Sequence, residues 1–415
     1  MQFDQYHISD DIKKNLSKLG FKRPTDIQFK AIPSILNGED VLAIAQTGTG
    51  KTAAFAIPVI DKIHRYKTSR RAYGIKCIVM APTRELALQI GEVFKSLARH
   101  TRVEVFSLHG GVEQDRQIAK IQDGIDVLIA TPGRMFDLIS QKVIKLASVS
   151  TLVLDEADHR LDLGFIEDIR YIKKMLVYRH QTLFFSATIN DEIKKLAYSQ
   201  VKSAAIRIQV SPKDRISKNV SHFVMFVEMD DKRFFLERFL KDHPEGKVIV
   251  FVRTRVRAER VCKAMARAGL ESVSIHGDKD QTERNEAMQA FRSGEQHVLI
   301  ATDISARGID VPDVDYVINY DLPEKVENYV HRVGRTGRGV NLGEAISFCS
   351  TEEKPLLEAI QDFITKPVDV ITVSEEGYAD IIRTPEKASQ DLLDLVAEHD
   401  SWLSAKGKKS KKRKK

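Results

Sequence analysis

Short apolar runs rich in Val, Ile, Leu and Phe recur along the chain, separated by longer segments with helical spacing. In the first half the runs are Val41–Ala45, Cys77–Met80, Val103–Leu108, Asp126–Ile129, Leu152–Leu154 and Leu183–Phe185. In the second half they are Val248–Val252, Val273–Ile275, Val298–Ile300, Tyr316–Ile318 and Ala345–Phe348. Short, mainly apolar runs of this kind predict strands covered on both faces, as in a parallel sheet flanked by helices. Segments such as Glu85–Ala98 and Glu283–Phe291 repeat apolar residues at the helical period. The alternation occurs twice, which predicts two α/β domains. Between them Ile206–Asn219 (IRIQVSPKDRISKN) is polar, contains Pro212 and has no helical period, so it reads as a linker. The expected organisation is a leading region over 1–29, a first domain over 30–207, a linker over 208–218, a second domain over 219–372 and an extension over 373–415.

Composition sharpens this picture in three places. With 415 residues there is room for two to three domains of about 150 residues each. Cys77, Cys262 and Cys349 are scattered and form no CxxC pair, which argues against a disulfide framework or a zinc site. No apolar run approaches the roughly 18 residues that span a bilayer. The start, MQFDQYHISDD, is too acidic and polar for a signal peptide, so a cytoplasmic protein is expected. The net charge of +7 is concentrated in KGKKSKKRKK at 406–415, which holds eight of the basic side chains and leaves 57 basic against 58 acidic elsewhere. Such a block repels itself, stays unfolded and attracts a polyanion such as RNA, or simply aids solubility.

Chemically distinctive residues sit just after the strand runs: AQTGTGKT after VLAI, APTREL after CIVM, DEAD after LVL, SAT after LFF, and RTR after VIVFV. Open α/β sheets bind ligands at the carboxyl ends of their strands, so this placement predicts a working edge in each domain. Ala45–Thr52 (Ala45, Gln46, Thr47, Gly48, Thr49, Gly50, Lys51, Thr52) reads as a phosphate-binding loop. Gly48 and Gly50 let backbone amides approach phosphate oxygens, Lys51 reaches the outer phosphates, and the Thr52 hydroxyl suits Mg2+. Asp155 at the next strand end suits Mg2+ through water, and Glu156 is placed to orient and deprotonate an attacking water. The pair predicts hydrolysis of a nucleotide rather than storage.

With these motifs in hand, the chain resembles a DEAD-box ATP-dependent RNA helicase of superfamily 2, and the resemblance runs from Phe3 to about Ile364. The short chain and lysine-rich end give it the look of a bacterial, RhlE-like member. The resemblance implies two tandem RecA-like domains with ATP and Mg2+ as cofactors. GFKRPTDIQ matches the adenine-sensing motif, with Gln28 reading the adenine edge and Phe21 or Phe3 stacking on the base. Pro82, Thr83 and Arg84, Gly110 and Gly111, and Thr131, Pro132, Gly133 and Arg134 are similar to the family's RNA-binding elements, which contact phosphate and sugar. Asp158, Ser186, Thr188 and His331 are implied to couple nucleotide state to the RNA surface. In the second domain Arg253, Gln281, Arg284, Thr302 and Asp303 resemble RNA contacts. Asp310 is implied near the ribose, and Arg335 and Arg338 as arginine fingers on the γ-phosphate.

These roles imply that catalysis waits for the two domains to close on ATP and one RNA strand. That closure gives local, non-processive unwinding or RNA–protein remodelling, largely independent of RNA sequence, by a monomer. Two rivals remain open at this point: a DNA translocase of the same superfamily, and a non-unwinding RNA clamp or annealing chaperone.

Overall fold

The computed structural model describes residues 2–45, 48–69, 74–157, 165–187, 191–210, 219–303, 314–337 and 341–383. These fall into two compact units, one ending at Val210 and the other starting at Asn219. Six residues singled out above (Gln46, Thr47, Asp158, Thr188, Asp310 and Arg338) lie outside the described residues, as do most of the linker and the basic end.

The first unit contains β1 (Val41–Ala45), β2 (Cys77–Met80), β3 (Val105–Leu108), β4 (Val127–Ala130), β5 (Thr151–Leu154), β6 (Gln181–Ser186) and β7 (Ile206–Val210). Its helices are α1 (Asp10–Lys18), α2 (Asp26–Leu36), α3 (Lys51–Tyr66), α4 (Arg84–Ala98), α5 (Gln114–Asp123), α6 (Pro132–Ser140), α7 (Phe165–Met175) and α8 (Asp191–Gln200). The strands form one parallel sheet in the order β3-β4-β2-β5-β6-β1-β7. Side chains of alternate parity on β1 enter different cores: Val41, Ala43 and Ala45 pack with α2, α3 and α4, whereas Leu42 and Ile44 pack with the residues of α6, α7 and α8. Burial on both faces explains why these strands are apolar throughout.

The second unit contains β8 (Val220–Phe226), β9 (Val248–Val252), β10 (Val273–Ile275), β11 (Val298–Thr302), β12 (Tyr316–Asn319), β13 (Gly343–Cys349) and β14 (Asp369–Ile371). Its described helices are α9 (Lys232–Asp242), α10 (Arg255–Arg267), α11 (Gln281–Ser293), α12 (Val326–Val333), α13 (Lys354–Ile364) and α14 (Glu375–Arg383). Its sheet order, β10-β11-β9-β12-β13-β8-β14, repeats that of the first unit strand for strand. Both units therefore have the RecA-like parallel architecture.

Two boundaries differ from the sequence reading. Ile206–Val210, assigned to a linker, forms β7 and pairs in register with Val41–Ala45. As an edge strand it buries only Ile208 fully, so Arg207 and Gln209 gave it a polar, linker-like appearance. The expected extension also begins inside the second unit. Tyr378 of α14 donates to Asp231 Oδ2 at 2.8 Å, accepts from the Glu228 amide at 3.0 Å and packs on Phe235, and Ile381 is buried.

Candidate nucleotide and nucleic-acid sites

In a parallel sheet every strand ends on the same edge, and the strand order decides which ends are neighbours. In the first unit β5, β6 and β1 are adjacent, so Asp155, Ser186 and the Gly48–Lys51 turn share one half of that edge. On the other half β3, β4 and β2 carry His109–Gly111, Thr131–Arg134 and Pro82–Arg84. The phosphate-like and RNA-like motifs are thus sorted by topology, and they meet where the Asp155 amide donates to Met80 O at 3.3 Å.

Lys51 opens α3 and is buried, and its Nζ has no hydrogen-bond partner among the described residues. A buried ammonium without an acceptor is costly, so the site suits an anion at a helix N-terminus. Gly50 sits at φ +88°, and a Cβ there would collide with Gln28 Nε2, so the turn needs glycine for both conformation and space. Thr52 is half-buried on the first turn of α3, and Ser186 is fully buried at the end of β6. Asp155 and Glu156 are also buried. Glu156 adopts φ +48°, an uncommon conformation for a side-chain-bearing residue, and its amide donates to Asp155 Oδ1 at 3.0 Å. Such a conformation costs of order 1–3 kcal/mol and persists only where the surroundings enforce it.

The segment matched to adenine sensing also makes contacts within the first unit. Gln28 is buried, and its Oε1 accepts from the Thr25 amide at 3.0 Å to close a capping box on α2. Its Nε2 donates to Gly50 O at 3.2 Å. Its amide is thus engaged within the protein and binds the start of α2 directly to the phosphate turn. Phe3 lies in the hydrophobic core, edge-on to Phe21 at 5.9 Å, and Phe21 is the ring of the pair that keeps exposed surface. Phe3 therefore backs Phe21, because its own faces are taken by packing.

On the other half of the edge, the three RNA-like motifs form one hydrogen-bonded cluster. Arg84 Nη1 donates to Gly110 O at 3.4 Å, and Arg134 Nη1 donates to Gln117 Oε1 at 2.6 Å and to Val112 O at 3.4 Å. Gln117 closes the cluster by donating to His109 O at 3.1 Å. Burial, with the charges of Arg84 and Arg134 behind it, pulls His109 below its usual pKa, although its contact with Gly110 O acts the other way. Burial and the two guanidinium groups thus both disfavour a charged imidazole in this cluster. Gly111, at φ +75°, and Gly133 are exposed, whereas Pro132 is buried as the first residue of α6. Thr83 is buried, and its hydroxyl accepts from the Leu86 amide at 3.2 Å as the cap of α4. Its first duty is to this helix.

In the second unit Arg253 follows β9, with its amide donating to Asp321 Oδ2 at 2.9 Å and its Nη2 to Glu353 Oε1 at 3.0 Å. Glu353 and Asp321 also hold Lys232, which is wholly buried and donates to Tyr320 O at 2.8 Å. Gln281 begins α11, Arg284 is half-buried one turn later, and Thr302 is buried at the end of β11. Asp303, read as an RNA contact, receives Arg332 on both carboxylate oxygens. His331 and Arg335 are buried, and Arg335 Nε donates to His331 O at 3.0 Å.

Sequence reasoning missed Arg332, Lys232, Asp321 and Glu353. Arg332 had one legible signal, because it follows Tyr329 by three residues and so shares the inward face of α12. The other three lie in unremarkable polar stretches and come together only through the fold.

Sequence families described as DEAD/DEAH box helicase and as helicase conserved C-terminal domain match residues 25–196 and 231–340. The Bacillus subtilis protein named DEAD-box ATP-dependent RNA helicase CshA is 38% identical over 367 residues, covering 88% of this chain and 73% of that protein. The Listeria monocytogenes ATP-dependent RNA helicase CshA is 36% identical over 394 residues, covering 94% of this chain and 75% of its own length. Among solved structures, S. cerevisiae Dbp5 bound to RNA and ADP BeF3 superposes with a TM-score of 0.82 at 30% identity, covering 94% of this chain and all of that one. Mss116p bound to ssRNA and AMP-PNP gives 0.81 at 26% identity, covering 98% of this chain and 86% of that one.

Proposed function

From the premise that the chain belongs to the DEAD-box ATP-dependent RNA helicases, we propose that its two units share one ATPase site whose halves work only together. As a member of that family it hydrolyses ATP and remodels RNA. The observation that carries the division of labour is the buried Lys51 ammonium, without a partner among the described residues, on the same sheet edge as Asp155 and Glu156 in one unit, while His331 and Arg335 belong to the other.

The Gly48–Thr52 turn receives the ATP phosphates, with the α3 N-terminus and Lys51 meeting their charge. Phe21, half-buried against Phe3, supports the base, and Gln28 fixes the geometry of the turn through Gly50. The hydroxyl of Thr52 and the carboxylate of Asp155 are hard oxygen donors of the kind that would hold Mg2+. Held there, the ion would supply positive charge against the transferring phosphoryl group. Glu156, held in its unusual conformation by the end of β5, takes the proton of the attacking water. Arg335, joined by Arg338, supplies positive charge to the γ-phosphate, and Asp310 meets the ribose.

RNA lies along the Arg84–Gly110–Arg134 cluster and along Arg253 and Arg284 of the second unit. Contacts from Arg side chains, helix N-termini and Gly-opened backbone read phosphate and sugar, so binding is largely independent of sequence. Among the described residues no helix is long and apolar enough to cross a membrane, which together with the bacterial relatives supports a cytoplasmic setting. Steady-state ATP hydrolysis with RNA and with DNA of matched sequence tests the reading. Stimulation by RNA alone, abolished in Glu156→Gln, is expected. Equal stimulation by DNA overturns the RNA preference, and hydrolysis without displacement of a short duplex moves the function to a clamp.

A further inference from the structure

Helix α10 departs from the way this chain treats its other helices. Elsewhere a surface cation is commonly paired with an acid one turn away, as in Asp61–Arg65, Glu113–Arg116, Glu167–Arg170 and Glu237–Lys241. Helix α10 (RVRAERVCKAMAR) carries five basic residues and one acid, Glu259. That acid is occupied off the helix, accepting from His276 at 2.8 Å and from Ser274 at 2.7 Å. Two of the cations are also committed: Arg255 pairs with Asp278, and Arg257 with Asp321 at 3.2 Å. The other three, Arg260, Lys263 and Arg267, are exposed and have neither ion pair nor hydrogen bond among the described residues. Glu271, just beyond the helix, accepts from Gln296 at 3.1 Å.

Steps of three and four residues place Arg260, Lys263 and Arg267 on one ridge of the helix. At 1.5 Å per residue the ridge spans about 10 Å. It begins about two turns from Arg253, where the Phe251–Arg255 segment leaves the sheet edge. A merely solvated helix face mixes charge signs, as the other helices do, whereas a ridge of one sign suits a polyanion.

We propose that the Arg260–Lys263–Arg267 ridge is an accessory RNA-backbone surface that holds the strand beyond the part gripped at Arg253. The proposal rests on the RNA reading above. Contacts of this kind add affinity without sequence preference and make it salt-dependent, at about 0.7 of a logarithmic unit per phosphate for a single strand.

The test uses the full chain and the variant Arg260→Gln/Lys263→Gln/Arg267→Gln, whose changes all lie on the surface. Labelled oligouridines of about six and about twenty nucleotides are titrated over a range of salt, since single-strand sites span roughly four to sixteen nucleotides. The variant is expected to bind the longer RNA about tenfold more weakly at low salt, with a salt slope smaller by about two. Its affinity for the short RNA and its RNA-free ATP hydrolysis stay at wild-type values. An unchanged slope on the longer RNA overturns the proposal and leaves the ridge to an acidic protein. An equal loss on both RNAs also overturns it. If the wild-type chain binds neither RNA, the RNA reading itself has failed, and the short RNA reports that independently of the ridge.

Discussion

Arg332 meets both carboxylate oxygens of Asp303, through Nε at 2.5 Å and Nη2 at 2.9 Å. Its third nitrogen, Nη1, donates to Asp321 O at 2.6 Å and Asn319 Oδ1 at 3.2 Å, and its guanidinium lies over the Phe251 ring at 5.1 Å. One buried side chain thus ties α12, which carries His331, to the ends of β9, β11 and β12. The guanidinium uses its planar, five-donor fork here, which an ammonium cannot reproduce.

Removing Arg332 should therefore loosen α12 as a unit. Arg332→Ala leaves Asp303 without its partner and strips Asn319 and a main-chain carbonyl of a donor. The expected loss is of order 3 kcal/mol in the second unit, read as faster amide exchange across α12. Arg332→Lys should recover only part of it. Wild-type exchange in the alanine variant would show that α12 is held by its apolar contacts alone.

A second anchor of the same helix gives a pH dependence. His222 Nδ1 lies 3.0 Å from the Tyr329 hydroxyl, and burial, with the Lys366 charge behind it, lowers its pKa from 6.5 to about 4. Between those values the unfolded chain binds more protons than the folded one, so stability rises with pH across the window and is lost as pH falls through it. The second unit should lose about 3 kcal/mol between pH 6.5 and 4 from this group alone. His222→Gln should flatten the curve in that window, and an unchanged curve would exclude His222 as its source.

At the phosphate turn, Gly50→Ala strains a left-handed position and drives a methyl group into Gln28. The KM for ATP is expected to rise at least tenfold, equivalent to about 1.4 kcal/mol, with overall stability changed far less. Gln28→Ala should move KM the same way, through loss of the Gly50 contact and the α2 cap. A Gly50→Ala enzyme with wild-type KM would show that this turn is not where phosphate binds.

The fold and the site were legible to different degrees. The three- to five-residue apolar runs of the central strands located them, because a strand buried on both faces carries its burial in its composition. Strands β7 and β14 escaped because most of their residues stay partly or wholly exposed and several are polar, and β8 because its apolar run follows a polar stretch and carries Ser221 and His222. Lys51, Asp155 and Glu156 announced themselves by following strand ends. The contacts that Gln28, Thr83 and Asp303 make within the protein did not, since nothing in sequence marks a side chain that satisfies a neighbour's backbone or a buried arginine. The Lys232–Glu353 pair was invisible because its partners lie 121 residues apart.

That pair makes its own prediction. Glu353 accepts from Lys232, Arg253, the Leu322 amide and the Ser350 amide while almost wholly buried. Glu353→Ala leaves Lys232 buried with only Asp321, at 4.0 Å, as counter-charge. A loss of about 3–5 kcal/mol is expected. The double variant Lys232→Met/Glu353→Gln should recover most of it in amide exchange across α9. Failure of the double variant to recover would mean that Glu353 acts mainly through the backbone amides.

The central claim is that one ATP site is divided between two units, so that RNA and nucleotide favour the same joined state and each strengthens the other's binding. The direct test measures the affinity of a non-hydrolysable ATP analogue with and without saturating single-stranded RNA, in the wild-type chain and in Arg335→Ala. RNA is expected to raise analogue affinity at least tenfold in the wild type, about 1.4 kcal/mol of coupling, and much less in the variant. Analogue affinity that ignores RNA in the wild type would contradict the account, because a site completed by the second unit cannot be indifferent to the ligand that brings the two together.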